Sequence, residues 1–171
     1  VFIKNQDKTD VFLLNEEMII SAKTAIDRCD DIINVSNANG LYLCVNDECM
    51  RMVKLDGALN QTTDNFVYQN GNIKVAEAFY INGKTLIFTQ VANHVKFLQY
   101  SQDRGFICQF SQDKSTLLQI LPVVASNEQT FLALIKSQNS LTVNSFDADL
   151  RLVQSHDLPY SQKAIMLPTD I

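Results

Sequence analysis

Two histidines, four cysteines and two close groupings of aspartates are the residues of this chain whose types could do chemistry. His94 could act as a base or a metal ligand. Its own segment supplies no Cys, Asp or Glu, so it reads as a half-exposed strand histidine. His156-Asp157 is half of a triad, and a triad needs a nucleophile such as the Ser of G-x-S-x-G. No such context exists, and the pair reads as a loop beside a strand end. Asp27, Asp30 and Asp31 are acidic enough for a cation but lack the alternating register and glycine of a calcium loop. They read as a solvated turn. Asp147 and Asp149 flank one residue and fall in an expected hairpin turn.

Cys44 and Cys49 are separated by four residues, no C-x-x-C occurs, and both histidines are distant in sequence. That is poor support for zinc. Cys29, Cys44, Cys49 and Cys108 read instead as buried reduced thiols of a cytosolic or nuclear protein. Asn34-Val35-Ser36 and Asn60-Gln61-Thr62 match the glycosylation sequon and read as chance matches in an Asn-rich chain. Phosphate-loop, dinucleotide and metalloprotease motifs are absent from the sequence. No catalytic, cofactor-binding or metal residue is assigned, and no cofactor is expected.

The elements that would position any site announce themselves by a period. Asn37, Asn82 and Asn127 are 45 residues apart, each after a short apolar run. A second apolar run begins at Leu41, Leu86 and Phe131, again 45 apart. Met52-Val53-Lys54, Phe97-Leu98-Gln99 and Thr142-Val143-Asn144 keep the same spacing. A fixed period of this size marks a repeat architecture. Each unit reads as four short strands joined by Asn, Asp and Gly turns. The clearest has strands over Lys74–Tyr80, Leu86–Gln90, His94–Tyr100 and Phe106–Phe110, with Asn82-Gly83 as a two-residue hairpin. The flanking units give Ile32–Ser36, Leu41–Val45, Cys49–Leu55 and a weak strand around Ala58–Tyr68, then Leu117–Ala125, Phe131–Ile135, Leu141–Phe146 and Leu150–Ser155.

The expected division is a partial blade or hairpin/helix over 1–30, blades over 31–72, 73–113 and 114–158, and a tail or further blade start over 159–171. Residues 15–30 admit two readings. Val11–Leu14 and Met18–Ala22 form a hairpin, or Asn15 caps a helix carrying Met18, Ile19, Ala22, Ala25, Ile26 and Cys29. The hairpin continues the repeat and is preferred. Ala164–Leu167 is expected as a lone strand ended by Pro168. Phe79, Tyr80, Phe88, Phe97, Phe106 and Phe110 lie at strand spacing and are expected in a core.

Four antiparallel strands per 45 residues resembles the blades of WD-repeat β-propellers. The resemblance lies in the strand rhythm, the spacing and a turn acid at Asp56, Asp103 and Asp147. The chain has no Trp, hence no Trp-Asp pair, and no Gly-His dipeptide, so no functional residue is carried over. The fold class this implies is all-β, a propeller-like repeat whose ring is incomplete in this chain. Strands buried on both faces should be continuously apolar, as Leu41–Val45 and Phe131–Ile135 are. Propellers close with four to eight blades, so another segment or another chain is expected to complete the ring. The first residue is Val rather than Met, which suits an excerpt of a longer polypeptide.

At 171 residues, 46% apolar, the chain can bury a core. A net charge of −5 and a sequence pI near 4.9 argue against a phosphate-binding surface. No apolar run reaches membrane-spanning length. The functional expectation is a non-enzymatic scaffold that binds other protein subunits in a larger cytoplasmic or nuclear assembly. The rival expectation is a β-barrel or propeller that binds a small ligand or acts as an enzyme. Acids or histidines converging at Leu41, Leu86 and Phe131 would favour the rival, and those positions are apolar.

Overall fold

The computed structural model describes residues 1–69, 71–125, 128–159 and 164–167. Asn127 and Pro168, named above, lie outside the described residues. The described chain is all-β and divides into two compact units, Val1–Ile73 and Lys74–Ile171.

The first unit holds two antiparallel sheets. β1 (Phe2–Lys4), β2 (Lys8–Leu14) and β3 (Ile20–Asp27) form a three-stranded sheet in sequence order. β4 (Asp31–Asn34), β5 (Leu41–Val45), β6 (Cys49–Leu55) and β7 (Gln61–Gln69) form a four-stranded one. Residues 15–30 are therefore a hairpin and linker, and the helical reading is overturned. Of the helix-spaced positions, Met18 and Ile19 lie in the turn, Cys29 in the linker, and Ala22, Ala25 and Ile26 in β3, where Ala22 and Ile26 share the face that Val11 occupies on β2. The core packs Val53, Leu55 and Leu59 of the second sheet against Val11 and Ile26 of the first.

The second unit holds two four-stranded sheets. β8 (Ile73–Ile81), β9 (Lys84–Val91), β10 (His94–Ser101) and β11 (Gly105–Asp113) make one, its first residue being the last of the first unit. β12 (Ser115–Ala125), β13 (Glu128–Ser137), β14 (Leu141–Phe146) and β15 (Leu152–Leu158) make the other. Between them lies a phenylalanine core. Phe88 meets Phe97 edge-on at 4.7 Å and Phe131 at 5.1 Å, and Phe97 meets Phe146 edge-on at 4.9 Å. Edge-on pairs place the positive ring rim against the negative face. β9 and β10, central in their sheet, are nearly wholly buried, and the face carrying Leu86, Phe88, Val95 and Phe97 packs on the next sheet. β15, at a sheet edge, is exposed throughout.

Turn chemistry sets the strand boundaries. Asn37 and Asn82 both adopt left-handed backbone, φ 64° and 51°, the conformation Asn tolerates best after Gly. At Gly40 (φ 67°) a Cβ would run into the Leu55 carbonyl, and Leu55 N–H donates to Gly40 O at 2.8 Å. The turns after β2, β6 and β14 share one build. In each, the side-chain oxygen of Asn15, Asp56 or Asp147 accepts from the backbone N–H two and four residues on. In each, the third residue on, Met18, Leu59 or Leu150, has φ near 60° (63°, 61° and 62°) and donates its N–H back to the first. This build delays the last strand of two sheets. β7 starts at Gln61 rather than Ala58, and β15 at Leu152 rather than Leu150. The expected turn acid Asp103 does not share it. The corresponding left-handed residue is Gly105, and the Ser101 side chain, then the Asp103 backbone, hold the Asp103 carboxylate instead, with the Arg104 charge adding to them.

Ala164–Leu167 forms no strand, contrary to expectation. One side chain replaces the ladder. Gln119 Oε1 accepts from Met166 N–H at 2.7 Å, and Gln119 Nε2 donates to Met166 O at 3.0 Å.

Candidate functional site

Each chemically capable residue has a place in this scaffold. His94 opens β10 directly opposite Asp113 at the end of β11. Its Nδ1 lies 2.7 Å from Asp113 Oδ1, on exposed surface. The sequence reading left His94 alone because Asp113 is distant in sequence. The pairing depends on a bulge between Phe97 and Leu98 that sets the register. The nearby hydroxyl, Ser115, is buried and donates to Asp113 O at 3.0 Å, so it is not aligned with the imidazole as a nucleophile. His156 faces outward on β15 opposite Val143, and Asp157 stands opposite Thr142. The structure does not bring the two histidine segments together in one site.

The acidic cluster is dispersed by basic partners. Asp27 meets Arg51 at 2.6 Å, and Asp30 meets Arg28 at 3.0 Å while accepting from Asp47 N–H at 3.3 Å. Asp31 accepts from the Ile32 N–H. Among the described residues no three His, Cys, Asp or Glu side chains gather in a way that could hold a metal ion.

The expected reduced thiols are corrected at two positions. Cys29, in the linker after β3, forms a disulfide with Cys44 on β5, with Cα atoms 5.3 Å apart. Cys29 and Cys44 are 1% and 3% exposed, so the bridge lies within the core of the first unit. Buried Thr9 accepts from the Cys29 N–H at 3.2 Å and fixes the linker on β2. Cys49 and Cys108 are free.

Two polar clamps join the sheets of the second unit. Gln90 Nε2 donates to Ser115 O at 2.9 Å, and its Oε1 accepts from Leu117 N–H at 2.8 Å, tying β9 to β12. Lys84, at the start of β9, meets Asp149 in the β14–β15 turn at 2.9 Å. The hydrogen bond and charge of Lys84 hold the Asp149 carboxyl below its ordinary range, with Arg151 adding to the effect. The buried Gln99 side chain lies near the same carboxylate and adds the smallest lowering effect, although its Nε2 makes no hydrogen bond of ordinary geometry among the described residues. Asp56 is likewise lowered, first by the Asn60 side chain and then by the backbone of its own turn. Both carboxylates are used in holding turns and sheets. The first sheet exposes Val1, Ile3, Met18 and Ile20 beside the Asp10–Lys23 ion pair.

No protein-family model matches the chain, and no curated protein matches its sequence. Solved structures match its fold. A protein from Lactobacillus plantarum superposes with a TM-score of 0.57 at 11% identity, over 86% of this chain and 50% of its own. Apo AztD from Citrobacter koseri superposes with a TM-score of 0.53 at 10% identity, over 95% of this chain and 47% of its own. A second structure of C. koseri AztD gives 0.53 at 10%, over 96% and 48%. The chain thus spans about half the length of these neighbours. At such identities the likeness concerns fold alone: the chain is all-β with antiparallel sheets of the β-propeller type.

Proposed function

We propose that the chain is a non-enzymatic protein–protein interaction scaffold, a WD-repeat-like propeller segment within a larger multi-subunit assembly. The observation that carries this reading is apolar surface on the first sheet, where Val1, Ile3, Met18 and Ile20 are exposed. Apolar surface of this kind is stable in water when another protein surface covers it. The half-length match to propeller-type neighbours supports a ring completed by another segment or chain. The acidic net charge of −5 argues against direct nucleic-acid contact.

The buried Cys29–Cys44 bridge bears on compartment. Disulfides persist in oxidising compartments and are rare in the cytosol and nucleus. We therefore favour an oxidising compartment over the cytoplasm or nucleus suggested by the cysteine spacing.

Native co-purification tests the scaffold reading. The chain is expected to travel with other protein subunits in stable proportion. A chain that runs alone and turns over a small molecule would establish the enzymatic or ligand-binding alternative instead.

A further inference from the structure

The two Asn-x-Ser/Thr sequons of this chain occupy different settings in the first unit. Asn34 ends β4, the next residue Val35 is wholly buried, and Ser36 is half-buried. Asn60, Gln61 and Thr62 are all exposed. They lead out of the turn after β6 and into β7, a strand at the edge of its sheet. An attached glycan is bulky and strongly hydrated, so a surface turn accommodates it where a packed strand would not.

The Asn60 amide is fixed at that surface. Asp56 Oδ1 accepts from the backbone N–H of Ala58 and of Asn60. Asp56 Oδ2 accepts from Asn60 Nδ2 at 2.8 Å. Nδ2 carries two hydrogens, and Asp56 engages one of them. The nitrogen therefore retains a donor for the turn after the other hydrogen is replaced.

A second observation is independent of the sequon. A sequon is a chemical acceptor only where a glycosyl donor is present. The same unit holds the buried Cys29–Cys44 bridge, and disulfides and modified sequons are both features of secreted and lumenal proteins.

We propose that Asn60 is an N-glycosylation site, with Thr62 completing its acceptor sequon. The inference rests on the oxidising-compartment reading and goes beyond the scaffold role. The donor is an oligosaccharide activated as a glycosyl pyrophosphate. Asn60 Nδ2 forms a bond to the anomeric carbon of the sugar. The bond from that carbon to the pyrophosphate oxygen breaks, and its electron pair leaves with the pyrophosphate. Nδ2 gives up one proton, and nothing is oxidised or reduced. The glycan keeps the β6–β7 turn in solvent, so protein partners dock elsewhere on the chain.

Peptide mass spectrometry of the native protein purified from its source, before and after peptide N-glycosidase, tests this. The peptide holding Asn60 is expected to carry an added glycan mass. The glycosidase should remove it and leave aspartate in place of the asparagine. Expressed in the same source, Thr62→Ala should lose the modification while leaving Asn60 in its turn, and Thr62→Ser should keep it. A non-reducing digest of the same sample reports the Cys29–Cys44 bridge separately. An unmodified Asn60 overturns the proposal, as does a modification that survives Thr62→Ala. If the bridge is intact beside an unmodified Asn60, the compartment reading stands without the glycan. If Cys29 and Cys44 are reduced there, both fall.

Discussion

Side chains of the same geometry need not contribute alike, and the three left-handed turn residues make that measurable. Leu150 is wholly buried in the phenylalanine core, and Leu150→Ala should cost about 2–5 kcal/mol through lost transfer energy and a cavity. Met18→Ala, on exposed surface, should change stability by less than about 0.5 kcal/mol in the single chain. Urea unfolding at low chain concentration compares the two. Titration adds a second expectation. Because the Asp149 carboxyl is held below its ordinary 3.8, the Lys84 pair contributes in full above about that pH. The contribution fades as pH falls through the lower folded value. The stability difference between the native chain and Asp149→Asn should therefore be present at neutral pH and vanish in acid. Its size should be at most about 1 kcal/mol, because the pair is half exposed. None of these partners was readable in the sequence. Lys84 and Asp149 are 65 residues apart, and His94 meets Asp113 only because a bulge sets the register.

At the scale of elements, local signals were strong where apolar runs met definite turns. β5, β6 and β14 have the bounds that their apolar runs suggest, and the Asn82-Gly83 hairpin adopts the two positive φ values such a pair favours. The misses have physical causes. Leu150 looks like a strand residue by hydrophobicity, but Asp147 captures the following N–H groups and turns Leu150 into the core. Ala164–Leu167 is apolar enough for a strand, yet its described contact is the Gln119 amide. The disulfide was unreadable because cysteine spacing does not fix connectivity. That bridge closes a segment of separation 15, a loop for which the chain-entropy model gives about 3 kcal/mol. Cys44→Ser should lower stability by about that amount. Reductant should leave the folded protein intact until denaturant opens the core, because both sulfurs are buried. Gly40→Ala should cost more than about 1 kcal/mol, since it combines a left-handed φ with a close approach to Leu55.

At the scale of the molecule, the 45-residue period was legible as repeated four-stranded sheets, and the propeller-type neighbours share that architecture. Sequence patterning showed which residues are apolar but not which of them the first sheet exposes. That required the register of β1–β3 and the exposure of Met18. The central claim is that these sheets work as part of a larger protein particle. Native mass spectrometry of the particle purified from its source tests this most directly. The account predicts a particle well above 19.3 kDa, built of protein subunits and including this chain. A lone 19.3 kDa particle would contradict it.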